Sequence, residues 1–424
     1  LWPKKTEVFA PFDETKARQA CQKMMEGLER DGCEWTGMFG ALVCLDSAGK
    51  EVVLRAFSGS YDGKWNRDGW APPLFDEEKY KAAILPNDKK IHELSVVPAN
   101  ESPEQKAARD KERLALCNET LKKIYSLYSF CCFDQKWRTF GDISNGKLLP
   151  TGTGDCSAPK LLSEAFSLGL RPISMAEFYW GEPNSRLVPK TFYPPCDEKC
   201  ALILPAILGL KIIYRDQNIL VVEKPSGLLS VPGRGPDKQD CVVTRAQKLF
   251  PQMIKQPSVH RLDMDTSGLM VLAFDEESHR ALNAQFENRL VKKNYVAVLD
   301  GVVKDQEGRV ELKHRVDLEN RPRQILDDVY GKVAVTEWKR LRVWTRRDTA
   351  GKERKATSVL FAPLTGRTHQ LRVAAAFALG APIVGDNLYG REEARLCLHA
   401  CDLSFAHPVT GQEMSFHSEP DFAY

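Results

Sequence analysis

Residues 260–268 read His260-Arg261-Leu262-Asp263-Met264-Asp265-Thr266-Ser267-Gly268 and run straight into an apolar stretch, 269–274. No other junction constrains the fold as much. An uninterrupted apolar run of that length reads as a buried strand, and the loop 256–259 leads into the turn from the other side. A charged turn feeding such a strand is held rigid by the sheet while its side chains face a cleft. Asp263, set between a cation and a glycine, is therefore placed as a site residue and not as a packing one.

With 424 residues, 43% of them hydrophobic, the chain can bury a large core and is more readily two domains than one. Pro189, Pro194, Pro195 and the turn 196–200 place a boundary within 190–210, giving predicted domains 1–205 and 206–424. The longest apolar run, 201–210, is broken by Pro205 and falls short of the roughly 18 residues that span a bilayer, so no membrane partner is expected. Leu1-Trp2-Pro3-Lys4-Lys5 lacks the apolar core of a secretory signal. Twelve cysteines without regular spacing point to a reducing compartment, and cytoplasm is the expected location. The net charge of only +3 means that a nucleic-acid partner must be argued from local charge. Between Lys332 and Arg372 there are 11 Lys or Arg against 3 acidic residues, a stretch suited to phosphates or to a solvated face.

The downstream half reads as strands at 212–214 and 219–223 across a polar turn, then a Lys224-Pro225-Ser226-Gly227 corner. A helix follows over 275–289, with Asp275 as its cap and Leu282 and Phe286 on one face. Strands are predicted at 295–303, 333–344 and 357–364, and a helix opening in a basic turn at 366–379. The upstream half begins with a helix over 13–29 and a hairpin, 41–46 with 51–57. An aromatic, glycine-rich loop at 58–73 is expected to pack on a core, and 104–130 is a long charged helix. The pattern is α+β with a mixed sheet.

Asp263 and Asp265 are two carboxylates on one turn, an arrangement suited to glycosidic-bond chemistry, although Asp265 reads equally as a cap for the backbone of 266–268. Thr365-Gly366-Arg367-Thr368-His369-Gln370-Leu371-Arg372 is a second, cationic constellation able to bind anions. An arginine such as Arg367 facing Asp263 would keep it ionised and oriented, or would be an ordinary salt bridge. Tyr295 offers an aromatic face and a phenol.

Residues 209–424 resemble an RluA-type pseudouridine synthase. The resemblance rests on residues 221–234, the 260–268 block, Lys293-Asn294-Tyr295-Val296-Ala297, Arg321-Pro322-Arg323-Gln324, residues 365–372, Gly385-Asp386 and Arg395-Leu396-Cys397-Leu398-His399-Ala400. It is strongest to the branch that acts on both ribosomal RNA and a tRNA anticodon arm. The fold it implies is a mixed, mainly antiparallel sheet with flanking helices, preceded here by a separate α+β region with a long helix. It implies isomerisation of a uridine in an rRNA or tRNA stem-loop, with no cofactor, no metal and no obligatory protein partner. Asp263 matches the essential aspartate, acting at C1′ or on the C2′ proton; Tyr295 matches the tyrosine that stacks on the base, and Arg367 the arginine paired with the aspartate. Arg261 matches a residue that fills the space left by a flipped nucleotide. Substrate contacts are expected further from His260, Thr266, His369, Gln370, Arg372 and Leu398. The family's histidines near 374 and 381 are replaced by Ala374 and Ala381.

Upstream, residues 151–160 form a glycine-rich turn into a helix, with Ser157 as cap and Pro159 in the first turn, but without the Walker lysine pattern. Cys156 at a helix start is a candidate for a lowered pKa and, with His92, for a thiol nucleophile. Cys196 and Cys200 with Cys156 and one of Cys131 or Cys132 compose a candidate zinc set, against the simpler reading as buried thiols. Two rival functions follow: an inactive RNA-binding protein on a synthase fold, and a bifunctional enzyme with thiol chemistry upstream.

Overall fold

The computed structural model describes residues 12–98, 101–144, 149–196 and 199–424, so the opening Leu1-Trp2-Pro3-Lys4-Lys5 and two residues of the 196–200 turn lie outside it. The chain separates into two units, Leu1–Lys211 and Ile212–Tyr424.

In the first unit α1 (Thr15–Arg30) lays Ala17, Cys21 and Leu28 on a sheet built from β1 (Gly37–Leu45) and β2 (Glu51–Phe57), whose predicted hairpin is present in register Leu45↔Glu51. The loop 58–73 packs as expected: Trp70 lies 5.5 Å from both Phe39 and Phe57. α2 (Glu77–Ser95) was not expected. It contains Pro86 and buries none of its residues, so no apolar stripe marks it. The long helix is α3 (Pro103–Leu127), opened by a capping box between Ser102 and Gln105. Then come β3 (Ser129–Cys131), β4 (Trp137–Thr139), α4 (Phe140–Ser144), α5 (Ser157–Ser167), β5 (Arg171–Trp180), β6 (Phe192–Tyr193) and α6 (Leu204–Leu208). The sheet order is β2-β1-β5-β6. Ser157 is not the cap of α5: Cys156 holds that position, without a side-chain capping bond.

The second unit is one 10-stranded, mainly antiparallel sheet with helices beside it. Its elements are β7 (Lys211–Arg215), β8 (Ile219–Lys224), α7 (Val242–Leu249), β9 (Ser267–Ala273), α8 (Glu276–Glu287), β10 (Lys292–Leu299), β11 (Glu307–Val316), β12 (Gln324–Leu326), β13 (Lys332–Arg347), β14 (Glu353–Pro363), α9 (Gln370–Val373), β15 (Leu398–Ala406) and β16 (Glu413–His417). The order is β12-β11-β13-β14-β10-β15-β9-β8-β7, with β16 beside β15. The apolar run becomes β9, buried at every position and paired antiparallel to β8 and parallel to β15. Gly268 has φ +120° there, and a Cβ would stand 2.4 Å from the Ala400 carbonyl oxygen. Only glycine lets the strands meet at that point. Asp275 caps α8, accepting from the Ser278 amide at 2.8 Å, as its position predicts. The helix expected over 366–379 begins only at Gln370 and passes into a π turn at Ala374–Ala378. His369 before it is left-handed, φ +55°, which breaks the helix from the basic turn. Among the described residues no helix is long and apolar enough to cross a membrane.

Candidate active site

The turn carrying Asp263 is tied down by buried polar groups from the β8 corner. Lys224 is fully buried, and its ammonium donates to the carbonyls of Leu228 and Met264 at 2.6 Å and of Pro225 at 2.9 Å. Three acceptors match the three protons of a lysine. Burial pulls its pKa down to about 7, while Asp265 and Asp263 oppose the shift; the acceptor geometry supports the charged form. Ser230 donates to the Leu262 carbonyl and accepts the Leu262 amide, and Ser226 donates to the Asp265 carbonyl. The Thr266 amide closes the turn on the Asp263 carbonyl oxygen at 3.1 Å. Asp265 is not the expected cap, since among the described residues its carboxylate receives no hydrogen bond.

The Asp263 carboxylate is likewise free of donors among the described residues. It opens on a cleft of about 960 Å³ shared with Tyr295, Arg367, His369 and Leu398. Tyr295 enters from β10, opposite Phe361 of β14 and Ala400 of β15, at a bulge in the β10–β15 pairing. Such a bulge re-aims a side chain. Burial first, and then the Asp263 charge, push the Tyr295 phenol well above its usual range, so it is protonated. Thr266 and Leu398 are buried in the lining, and Arg261 is exposed at its edge.

The expected pair between Arg367 and Asp263 is not formed. Arg367 is exposed, and its Nε donates to the Val333 carbonyl at 3.2 Å. The nearest cation-forming group to Asp263 is His369, with Nε2 at 4.0 Å and Nδ1 bonded to the Tyr389 hydroxyl at 2.8 Å. Burial lowers the His369 pKa more than Asp263 raises it, which favours a neutral ring. Three other predicted substrate contacts are engaged inside the protein. Gln370 accepts from Thr365 Oγ1 and the Arg367 amide and donates to Val335 O and Thr336 Oγ1, which commits its whole amide. Arg372 is buried in a two-pronged pair with Asp386 at 2.6 and 2.8 Å. His260 accepts the Val271 amide and stacks on Phe286 at 4.7 Å. These three line the cleft and hold its walls.

Sequence reasoning passed over two groups here. Lys224 was visible only as part of a corner, and nothing in the pattern marks it as buried. Lys293 lines the cleft beside Phe286, its pKa lowered by burial, with Nζ within 3.8 Å of where a Cβ on Gly366 would stand. A lysine ahead of a strand gives no such signal.

In the first unit the sulfurs of Cys156, Cys196 and Cys200 lie within 4.8 Å of one another, whereas Cys131 and Cys132 are not in that group. Cys156 does not have the lowered pKa expected at a helix start: hydrogen bonding with Cys196 and Cys200, then burial, pushes it up. His92 is exposed, and among the described residues no hydrogen bond joins it to Cys156.

Residues 218–377 match the model of the RNA pseudouridylate synthase family. The dual-specificity RNA pseudouridine synthase RluA of Haemophilus influenzae is 44% identical over 218 residues, covering 50% of this chain and 94% of that protein. RluA of Escherichia coli shows the same identity and coverage. The solved structure of human RNA Pseudouridylate Synthase Domain Containing 1 is 28% identical, with a TM-score of 0.42, over 50% of this chain and 84% of that one.

Proposed function

This chain belongs to the RNA pseudouridylate synthase family, and from that premise we propose that it converts a uridine in an rRNA or tRNA stem-loop to pseudouridine with Asp263 as the reacting carboxylate. The observation that carries the reading is the Asp263 carboxylate, free of donors among the described residues, sharing a cleft with the protonated phenol of Tyr295. Isomerisation breaks the N1–C1′ bond, turns the base, forms C5–C1′ and releases the C5 proton, while N1 gains one. A carboxylate without protein donors can either attack C1′ or take the C2′ proton, and both routes leave it regenerated. Tyr295 supplies the face on which the detached base turns and a hydroxyl to relay the C5 proton. His369, neutral and braced by Tyr389, is proposed to take the orienting place expected of Arg367, which is free to meet phosphate.

C1′ and C5 of a stacked, paired uridine are out of reach, so the base must leave the helix, at least cost from a loop. A cleft of about 960 Å³ has room for an extruded nucleotide, with Arg261 at its edge to fill the gap and Lys293 to meet the backbone. Residues 206–424 are proposed to carry the reaction and 1–205 to assist RNA positioning. The dual substrate range of the RluA relatives is proposed for this chain as well. Tritium release from C5-labelled rRNA and tRNA fragments tests this: release from both supports dual specificity, release from one narrows it, and release from neither contradicts the proposal.

A further inference from the structure

Nothing in the synthase reaction uses the cysteines of the first unit. Cys156 stands at the N-cap of α5 with its side chain free of capping duty, while Cys196 and Cys200 arrive from a loop that ends in the 3-10 turn Cys200–Leu202. Segments 40 residues apart thus converge three sulfurs within 4.8 Å. Backbone donors and a cation face the sulfurs. The backbone amides of Cys200 and Lys199 point at the Cys196 sulfur and that of Gly154 at Cys200. The Lys160 ammonium, buried and bonded to the Phe57 and Gly59 carbonyls, is near enough for the charges of Cys156 and Cys200 to act on it. Amide donors and nearby cations of this kind surround thiolates that bind metal.

A second observation points the same way. Glu177 on β5 is 3% exposed and accepts from the Ala158 amide in the first turn of α5. Its Oε1 has no hydrogen-bond partner among the described residues. A buried carboxylate oxygen without a partner is costly unless a proton or a bound group meets it.

We propose that Cys156, Cys196 and Cys200 bind one soft divalent cation, zinc by chemical class, through three thiolates, leaving a fourth position open. Three protein ligands with an open position distinguish a reactive zinc site from a closed structural one, which takes four. Two of the three cysteines are only partly buried, which leaves a path for a small ligand to the fourth position. The site is built from first-unit residues and does not depend on the synthase reading.

The test uses the full chain, reduced and purified without a polyhistidine tag. Elemental analysis should find about one zinc per chain. The stripped protein titrated with cobalt(II) should develop thiolate-to-cobalt absorption that saturates near one equivalent, with visible bands of tetrahedral cobalt. Added imidazole should shift those bands by taking the fourth position. Cys156→Ser, Cys196→Ser and Cys200→Ser should each weaken or abolish the charge-transfer band, while Cys117→Ser leaves it intact. No thiolate band in the reduced wild type, or a band indifferent to the three serine variants, overturns the site, and the wild-type result stands even if a variant fails to fold. Visible bands that imidazole cannot shift overturn the open fourth position.

Discussion

At the scale of single residues, the division of labour in the cleft follows from which polar groups are already committed. Among the described residues Asp263 has no donor on its carboxylate, whereas Gln370 and Arg372 spend their donors, and His260 its acceptor nitrogen, on the protein. Tyr295→Phe separates stacking from proton transfer: base detachment should persist while C5 proton release slows by about 10²-fold or more, and an unchanged release rate would remove the proton role. His260 carries a pH signature. Burial holds its pKa near 3 against 6.5 when exposed, so between those values the unfolded chain binds the proton and the native ring does not. The contribution is complete above pH 6.5 and is lost as pH falls toward 3, costing about 2 kcal/mol by pH 5. The Val271 amide bonded to His260 reports it: its exchange protection, corrected for intrinsic rate, should fall from pH 7 to pH 5, and equal protection at both contradicts the assignment. That Asp263 and Tyr295 line one cleft was legible in sequence, because a turn before a buried strand and a motif each mark one residue. The missing Arg367 contact was not, since motif spacing says nothing about which way an exposed guanidinium turns.

At the scale of elements, the polar turn 365–367 is shaped by one side chain of the helix that follows it. Gln370→Leu keeps the volume but takes the acceptor from the Arg367 amide and the Thr365 hydroxyl, so the variant should lose about 2–4 kcal/mol in denaturant unfolding together with synthase activity. An unchanged midpoint would mean that the turn holds itself. Sequence reasoning found β8, β9, α8 and the strands β13 and β14, though not their pairing, because each carries an apolar run or a cap at the right spacing. It extended α9 too far toward the N-terminus because a left-handed His369 leaves no compositional trace. It missed α2, which has neither an apolar stripe nor a buried residue.

At the scale of the whole molecule, charge is less available than composition implies. Of the 11 basic residues between Lys332 and Arg372, Arg346 is paired with Glu393, Arg354 with Asp348 and Arg372 with Asp386, while Arg340 is bonded to the Val303 and Lys304 carbonyls. Lys332, Lys339, Arg342, Arg347, Lys352, Lys355 and Arg367 remain exposed. RNA binding should therefore weaken with salt at a log–log slope of about −3 to −5; a flat response would exclude this face, and a slope near −8 would mean that the paired arginines also reach phosphate. The three-sulfur cluster was legible, since Cys156, Cys196 and Cys200 were named together, but the Cys131 or Cys132 expected with them is not in the group, because spacing does not say which buried thiols the fold brings together. The central claim is that a single carboxylate does the chemistry. Asp263→Asn, which keeps the shape of the turn and its backbone bonds, should bind C5-tritiated RNA as the wild type does and release no tritium above background. Release at a rate within about tenfold of wild type would contradict the account.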